Sequence, residues 1–253
     1  MPHPSLVRRH KGLLRHSLHQ LLHVDAVRHV VATARYRWYV TVRRRLRTLE
    51  GSAAVSGDTV HHNVSGMGDL AVVRSLFLIR PLSVVEQLGP DADVLSIGPR
   101  TEGELLALLA HGFDRRHLRA VDLISYSPWV DLGDMHSLPY ADDSFDAVVA
   151  GWVLAYSDDK QRAASEIVRV ARPGATVAVG IEWNPDTNEA IEAAFGYLPG
   201  SEERLTSTAA ILALFAGSVD RVLVEHDIAA PTPDEPRALV VLFTTTGRPP
   251  GGP

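Results

Sequence analysis

The alternation of apolar and polar positions divides the chain into a helical N-terminal part and a longer part in which strands and helices alternate. In the longer part, short runs rich in β-branched residues separate segments whose apolar positions recur every three or four residues. Strands are predicted at residues 93–97, 118–122, 145–150, 176–182, 219–225 and 238–244. Helices are predicted at residues 101–111, 158–171, 188–195 and 208–216. This order is typical of an α/β domain with a mostly parallel sheet.

In the N-terminal part, residues 13–49 are predicted to form a helix, because apolar residues recur at spacings of three and four. The apolar stripe of this helix consists of Val27, Val31, Ala34, Trp38, Val42, Leu46 and Leu49. Residues 51–68 are small, polar and rich in Gly and Ser, which predicts a loop. A second helix is predicted over residues 69–88, with Asp69 as its N-cap and a kink at Pro81.

Charge is distributed unevenly along the chain. Residues 1–50 contain eleven Lys and Arg against two Asp and Glu, a net charge of +9, whereas the rest contains 14 against 28, a net charge of −14. We therefore expect a basic N-terminal arm and loop over residues 1–68 and an acidic domain over residues 69–246. The Gly- and Pro-rich residues 247–253 are expected to form a disordered tail.

The basic arm has three interpretations. It packs on the domain or on a second copy of the chain, it lies on an anionic membrane, or it binds nucleic acid. Packing or dimerisation is favoured over membrane contact, because an exposed stripe containing Trp38 is costly. The acidic domain argues against an extended nucleic-acid surface.

Composition narrows the classes of chemistry. The 253 residues suffice for one sizeable core, and 45% of them are hydrophobic. The absence of cysteine excludes a disulfide framework, cysteine-ligated zinc, iron–sulfur clusters and a thiol nucleophile. It also fits a reducing compartment, so a cytoplasmic location is expected. No uninterrupted apolar run is long enough for a membrane span or a signal peptide.

Two positions predict a nucleotide site at the carboxyl edge of the sheet. The first strand of the longer part ends at Gly98, and a helix opens a few residues later. Glycine at such a turn lets a ligand approach the backbone closely. The next strand ends at Asp122, 24 residues beyond Gly98, where a carboxylate can accept hydrogen bonds from ribose hydroxyls. The alternative for Asp122 is a capping or solvated side chain.

The most specific pattern follows these two positions. Asp134 can accept a hydrogen bond from an adenine amino group, with Met135 against the ring. Then come Leu-Pro-aromatic at residues 138–140 and Asp-Xaa-Ser-Phe-Asp-Ala-Val-Val at residues 142–149. With Arg-Pro-Gly at residues 172–174, this order resembles the class I S-adenosylmethionine-dependent methyltransferases, in particular the type 11 methyltransferase family.

The resemblance implies a Rossmann-like, seven-stranded, mostly parallel sheet with the last strand antiparallel and helices on both faces. It implies S-adenosyl-L-methionine as cofactor and a biosynthetic methyl transfer to a small-molecule, sugar or natural-product acceptor, for which oxygen is the expected target atom. The family's cofactor positions carry over to Gly98, Asp122 and Asp134. With their neighbours, the expected cofactor-binding residues are Gly98, Pro99, Arg100, Glu104, Asp122, Leu123, Asp134, Met135, Gly151 and Trp152.

The glycine turn departs from the family pattern. The family's turn usually reads Asp-Xaa-Gly-Xaa-Gly-Xaa-Gly, and the matching residues here are Ser96, Gly98, Arg100 and Glu102. Because a side chain disfavours positive φ, we expect the backbone to take a different path at Arg100. Arg100 either binds the methionine carboxylate or pairs with Glu102 or Glu104, and Glu104 is also a candidate for the α-amino group.

The link between Asp122 and Asp134 is unusually short. Its length predicts that the third strand is nearly absent and that the crossover helix is reduced to a turn. Tyr126, Pro128 and Trp129 then form either an aromatic lid near the adenosine or ordinary packing over the missing helix, and the second is favoured.

Candidates for acid–base chemistry are few. His136 is the first candidate for a general base, because it follows Asp134 directly. Tyr156, at a place where many family members have histidine, could contact substrate, but its ordinary pKa of about 10 makes it a poor base. Other candidates are His61 and His62, in the predicted loop, and Glu182 and Trp183, at a strand end. No ligand pattern for a metal is present.

Two other functions compete with methyl transfer. An NAD(P)-dependent oxidoreductase would use a similar sheet, but its Gly-Xaa-Gly-Xaa-Xaa-Gly turn is missing. A non-catalytic nucleotide-binding module, held to a partner or a membrane by the arm, is supported by the incomplete glycine turn. In the family fold, the acceptor is mostly recognised by the N-terminal helices and by a segment that corresponds to residues 185–205.

Overall fold

The computed structural model describes residues 20–49, 64, 66–68, 74–198, 200–229 and 234–246. Its core is a seven-stranded sheet. The strands are β1 (Val94–Ile97), β2 (Leu118–Asp122), β3 (Asp131–Leu132), β4 (Phe145–Gly151), β5 (Ala171–Trp183), β6 (Val219–His226) and β7 (Arg237–Thr245). The helices are α1 (Asp25–Arg37), α2 (Leu76–Leu82), α3 (Glu102–Ala110), α4 (Lys160–Val170), α5 (Asn188–Phe195) and α6 (Thr208–Leu214).

The strand order is β3-β2-β1-β4-β5-β7-β6. Strands β3, β2, β1, β4 and β5 pair in parallel, whereas β7 is antiparallel to both of its neighbours. One apolar cluster includes residues of α2 and α3, and a second includes residues of α4 and α6. The Rossmann-like sheet with a reversed last strand and helices on both faces is therefore confirmed.

Most predicted elements agree with the structure to within two residues. The exception in the sheet is β5, which begins at Ala171 rather than at residue 176, with an irregular register opposite the start of β4. Strand β3 has only two residues and no helix precedes it, as the short link after Asp122 predicts. The central strand β1 is fully buried and apolar except for Ser96, as expected of a parallel strand covered on both faces.

The N-terminal helices are shorter than predicted. Helix α1 ends at Arg37 and is followed by a single π-helical turn, Trp38–Val42. Helix α2 ends at Leu82, directly after Pro81, which cannot donate a backbone hydrogen bond to the preceding turn. The predicted cap Asp69, the tail and most of the predicted loop lie outside the described residues, as do residues 1–19.

The face by which α1 packs on the domain includes only part of the predicted apolar stripe, because Val31 packs against the core and the later members do not. Arg28 and Ala32 are buried, whereas Trp38 is 52% exposed. Beside them, Arg35 forms a bidentate ion pair with the fully buried Glu102 at the start of α3. The prediction was wrong for the later part of the stripe, which follows a turn of helix held by this long-range ion pair.

The aromatic residues after β2 form ordinary packing, as favoured from the sequence. Tyr126 is buried and contacts Tyr36 of α1 edge to face, with ring centroids 5.1 Å apart. The guanidinium of Arg35 lies 4.0 Å from the ring centroid of Trp129. In the described part of the chain, no helix is both long and apolar enough to cross a membrane.

Candidate functional site

A pocket lies at the carboxyl ends of β1, β2 and β4; we call it the first pocket. Its lining residues are Arg74, Ile97, Gly98, Arg100, Val121, Asp122, Leu123, Gly133, Asp134, Met135, Val153 and Tyr156. Among the residues predicted from the sequence, it brings together Gly98, Arg100, Asp122, Leu123, Asp134, Met135 and Tyr156. The carboxyl edge of a parallel sheet is where such folds bind nucleotides.

The glycine turn follows a path that the sequence argued against. Gly98 has φ of 67° and Arg100 has φ of 55°, so Arg100 adopts the left-handed conformation that its side chain disfavours. The expectation of a different path was wrong, because the Arg100 N–H donates to Oδ2 of Asp122 over 2.8 Å and holds the turn. At Gly98, a Cβ would lie 2.6 Å from the Val153 side chain, so only glycine fits there.

Asp122 connects the glycine turn to the pocket wall. Its Oδ1 accepts a hydrogen bond from the Ile124 N–H over 3.1 Å, while its Oδ2 accepts the Arg100 N–H. Burial raises the pKa of Asp122 to about 6, although the backbone hydrogen bonds act in the opposite direction. The group is therefore a carboxylate at neutral pH and becomes a carboxylic acid in mildly acidic solution.

Asp134 is held in place by His136. The His136 ring Nδ1–H and the Asp134 Oδ1 lie 2.6 Å apart, and the Ser157 hydroxyl lies 2.6 Å from Nε2 on the other side of the ring. His136 is only 2% exposed and lines neither the first pocket nor the second cavity described below. The structure thus places the predicted base behind Asp134, with both ring nitrogens engaged.

The two glutamates of α3 have partners other than Arg100. Glu102 is bound by Arg35 and by the Ser127 hydroxyl. Glu104 is buried and accepts hydrogen bonds from Ser75 over 2.7 Å and from Ser96 over 2.6 Å. Burial raises the pKa of Glu104.

Several predicted cofactor residues therefore lie outside the first pocket. Pro99, Glu104 and Gly151 do not line it, and a Cβ on Gly151 would meet Leu78 and Glu104 instead. The guanidinium of Arg100 lies against Gly66 and borders the pocket.

A larger cavity, of about 410 Å³, adjoins the first pocket; we call it the second cavity. Its apolar lining residues are Trp152, Ala155, Ile181, Ile191, Phe195, Leu198, Leu205 and Pro236. Its polar lining residues are Arg74, Arg100, Tyr156, Glu182, Asn184, Ser201 and Arg204. Trp152, which was expected at the cofactor, lies here, because its φ of 63° turns the chain and packs its ring against Gly180 of β5.

The middle of the chain, which contains many of the first-pocket residues, is similar to known proteins. Residues 102–179 match the model of the type 11 methyltransferase family, described as a methyltransferase domain. Over 128 residues the chain is 33% identical to the chloroplastic 2-phytyl-1,4-beta-naphthoquinone methyltransferase of Arabidopsis thaliana, covering 51% of this chain and 43% of that protein. The chain carries a class I S-adenosylmethionine-dependent methyltransferase domain.

Two further comparisons agree with this methyltransferase domain. The ubiquinone/menaquinone biosynthesis C-methyltransferase UbiE of Hahella chejuensis is 29% identical over 148 residues, which cover 58% of this chain and 52% of that protein. The chain thus spans about half the length of these curated relatives. The N-methyltransferase NodS of Bradyrhizobium japonicum WM9, solved with S-adenosyl-L-homocysteine, shares the fold with a TM-score of 0.50 and 16% identity, covering 74% of this chain and 98% of that chain.

The first pocket of the methyltransferase domain fits its cofactor, S-adenosylmethionine. Carboxylates border it at Asp122 and Asp134, and apolar side chains such as Val121 and Met135 also line it. This combination suits a nucleoside, whose flat base needs apolar contact and whose hydroxyl and amino groups donate hydrogen bonds. No three histidine or carboxylate side chains in the described ranges are placed to hold a metal ion.

The segment after β5 closes the second cavity of the methyltransferase domain. Arg204 donates to the backbone carbonyls of Asn184 and Asp186. The Lys160 ammonium donates to the Ser157 carbonyl and to the Ser201 hydroxyl, both over 2.9 Å. These bonds fix both ends of a segment that the sequence named only as a range, residues 185–205.

Sequence reasoning missed several lining residues of both cavities. Three of them directly precede a predicted residue, so their position near a strand end could have indicated that they line the pocket: Ile97, Val121 and Gly133. No sequence pattern indicated Arg74 as a pocket residue, because it lies in a segment predicted as helix. Trp183 does not line the second cavity, whereas Glu182 does, and His61 and His62 lie outside the described residues.

Proposed function

We propose that the chain transfers a methyl group from S-adenosylmethionine in the first pocket to a small-molecule acceptor in the second cavity. The observation that carries the proposal is the shared border of the two cavities, which consists of Arg74, Arg100 and Tyr156. Methyl transfer requires an in-line approach of the acceptor to the sulfonium, so cofactor and acceptor must meet at such a border. When bound, the cofactor supplies the electrophilic methyl group, and the protein supplies position and electrostatics.

Three polar side chains of the first pocket bind the cofactor in this proposal. Asp122 accepts hydrogen bonds from the ribose hydroxyls, and Asp134 accepts one from the adenine amino group, with Met135 against the ring. Arg100, at the border with the second cavity, binds the methionine carboxylate through its forked donors. His136 positions Asp134 and takes no proton from the acceptor, since both of its ring nitrogens are engaged.

The acceptor in this proposal is a hydroxylated aromatic compound. Trp152, Ile181 and Phe195 supply apolar walls for a ring. The Glu182 carboxylate, in the same cavity, can take a proton from a ring hydroxyl, which favours transfer to oxygen. Two relatives, named for a naphthoquinone and for ubiquinone and menaquinone, support an aromatic or quinone-like ring, and one of them is named a C-methyltransferase.

A thermal-shift experiment tests the cofactor part of the proposal. S-adenosylhomocysteine should raise the melting temperature, and NAD should not, because a ligand that binds only the folded state stabilises it. Stabilisation by NAD alone would make the chain an oxidoreductase, and stabilisation by neither would make it a non-catalytic module. Either result overturns the proposal.

A second experiment tests the acceptor. The enzyme is incubated with methyl-13C S-adenosylmethionine and a panel of catechols, hydroquinones and hydroxynaphthoquinones, and the product is read by NMR, in which O-methyl and C-methyl carbons are well separated. We expect an O-methyl product that Glu182→Gln strongly reduces and Glu189→Gln, an exposed acid of α5 outside the cavity, does not. A C-methyl product contradicts oxygen as the target, and no labelled product contradicts the aromatic acceptor.

A further inference from the structure

The later part of the apolar stripe of the arm lies on the surface. Trp38, Val42 and Leu46 are 52%, 60% and 38% exposed. Exposed arginines stand between and beside them: Arg37, Arg43, Arg44 and Arg47. We call these seven residues the outer stripe. It combines an exposed tryptophan with four exposed arginines within residues 37–47.

The exposure of the outer stripe is fixed by the packing of its neighbours. Helix α1 is held by the Arg35–Glu102 ion pair and by the buried Ala32, so it cannot rotate to bury Trp38. At the end of the stripe, Arg47–Thr48 pairs with Ile124–Ser125 as a short antiparallel sheet. Anchored at both ends, the stripe has its apolar side chains exposed and uncovered by the described residues.

The charge of the chain selects the kind of partner. Residues 26–49 contain no Asp or Glu, and residues 1–50 carry +9 against −14 for the remainder. An anionic surface therefore attracts the arm and repels the body, which gives one orientation of binding. Arginines with an interleaved Trp and aliphatic residues suit the boundary between headgroups and acyl chains, where an aromatic ring lies half in water.

We propose that the outer stripe docks the protein on an anionic lipid bilayer. The docked arm brings the carboxyl edge of the sheet toward the membrane, because the Leu49 N–H donates over 2.7 Å to the carbonyl of Leu123, a residue of the first pocket. Apolar acceptors are concentrated in the bilayer, so docking shortens their path to the second cavity. This last step rests on the proposed function, and the docking itself does not.

Co-sedimentation with vesicles tests the docking. The full chain should sediment with vesicles containing about one third phosphatidylglycerol and remain in solution with pure phosphatidylcholine, and added salt should weaken the binding. Arg43→Gln with Arg44→Gln should weaken it roughly 25-fold, since each removed charge contributes about fivefold. The blue shift of tryptophan emission on binding should disappear in Trp38→Phe, although three other tryptophans remain.

The control is Arg221→Gln with Val222→Ala, which removes one exposed arginine and one exposed apolar residue from β6, outside the outer stripe, and should leave binding unchanged. Equal binding to both kinds of vesicle, no binding, or unchanged binding by the Arg43 and Arg44 variant overturns the proposal. So does tighter binding to DNA or RNA than to anionic vesicles, or a dimer that Trp38→Ala dissolves. S-adenosylhomocysteine should stabilise all variants alike, so failure of docking remains distinct from failure of the proposed function.

Discussion

Apart from their shared border, the two cavities of the domain are built from different parts of the chain. The first pocket is made by the ends of three adjacent strands, and its polar contacts include the backbone N–H groups that hold Asp122. The second cavity is made mainly by side chains at the end of β5, in α5 and between α5 and α6, with Trp152 and Ala155 after β4 and Pro236 before β7. One is fixed by backbone geometry and the other by side-chain choice, so cofactor affinity and acceptor affinity should be separable by mutation.

Asp122→Ala should weaken cofactor binding in the first pocket and leave the second cavity unchanged. We expect S-adenosylhomocysteine to bind about a hundredfold more weakly, because the ribose loses a charged acceptor worth about 3 kcal/mol and the turn at Arg100 loses its anchor. Isothermal titration calorimetry measures the loss. Asp131→Ala, which removes an exposed acid of β3 outside the first pocket, is the control. Equal affinity in both variants would contradict the ribose assignment.

The pKa of Asp122 gives the same pocket a pH dependence. Because burial raises this pKa to about 6, the carboxyl is neutral below that pH and a poorer acceptor. Affinity for S-adenosylhomocysteine should fall about tenfold per pH unit below the pKa and be level above it. The free protein should lose stability as pH rises from 3.8 toward about 6, since the folded state retains the proton there and the unfolded state releases it.

Asp122→Asn is the control for this pH dependence, because an amide does not titrate in this range. Its binding curve should be flat with pH. A slope that persists in Asp122→Asn would place the titrating group elsewhere.

Phe195→Ala should affect the second cavity alone. The side chain is 58% exposed and lines that cavity, so an acceptor that covers it gains about 1 kcal/mol of apolar burial. We expect KM for the acceptor to rise about fivefold while the Kd for S-adenosylhomocysteine is unchanged. Phe77→Ala, equally exposed at 56% on α2 and outside both cavities, should change neither. A change in cofactor affinity would remove the distinction between the two cavities.

Substitution of the buried His136 tests whether this residue supports cofactor binding or acts on the acceptor. His136→Ala should weaken S-adenosylhomocysteine binding about threefold, because Asp134 loses a hydrogen bond, and should leave kcat at saturating cofactor unchanged. His136→Asn retains a donor near Nδ1 and should restore the affinity. A large loss of kcat with intact cofactor affinity would return His136 to the role of general base.

The sequence predicted the sheet well because strand burial and helix periodicity are local patterns. It placed Gly98, Asp122 and Asp134 correctly at one edge, since parallel strands share their carboxyl ends. It failed where distant residues decide. The path of the chain at Arg100 depends on a carboxylate 22 residues away, and the buried face of α1 on an ion pair between Arg35 and Glu102, 67 residues apart.

The second cavity was beyond sequence reasoning for a related physical reason. Trp152, Glu182 and Phe195 come from separate segments and share no spacing that a pattern could reveal. Periodicity also indicates which residues share a helix face, but it does not indicate which face packs on the domain. That is why Trp38, Val42 and Leu46 were expected to be packed and are exposed.

The Arg35–Glu102 ion pair has a thermodynamic consequence. It joins the arm to the first turn of α3, which begins directly after the turn that carries Arg100. Coupling between two sites is reciprocal. If docking of the arm stabilises the turn for ligand binding, then a ligand bound at the turn stabilises the docked arm by the same free energy. Trypsin, which cleaves at the arginines of the arm, should therefore cut more slowly when S-adenosylhomocysteine is bound, and its cleavage rate would report the occupancy of the first pocket.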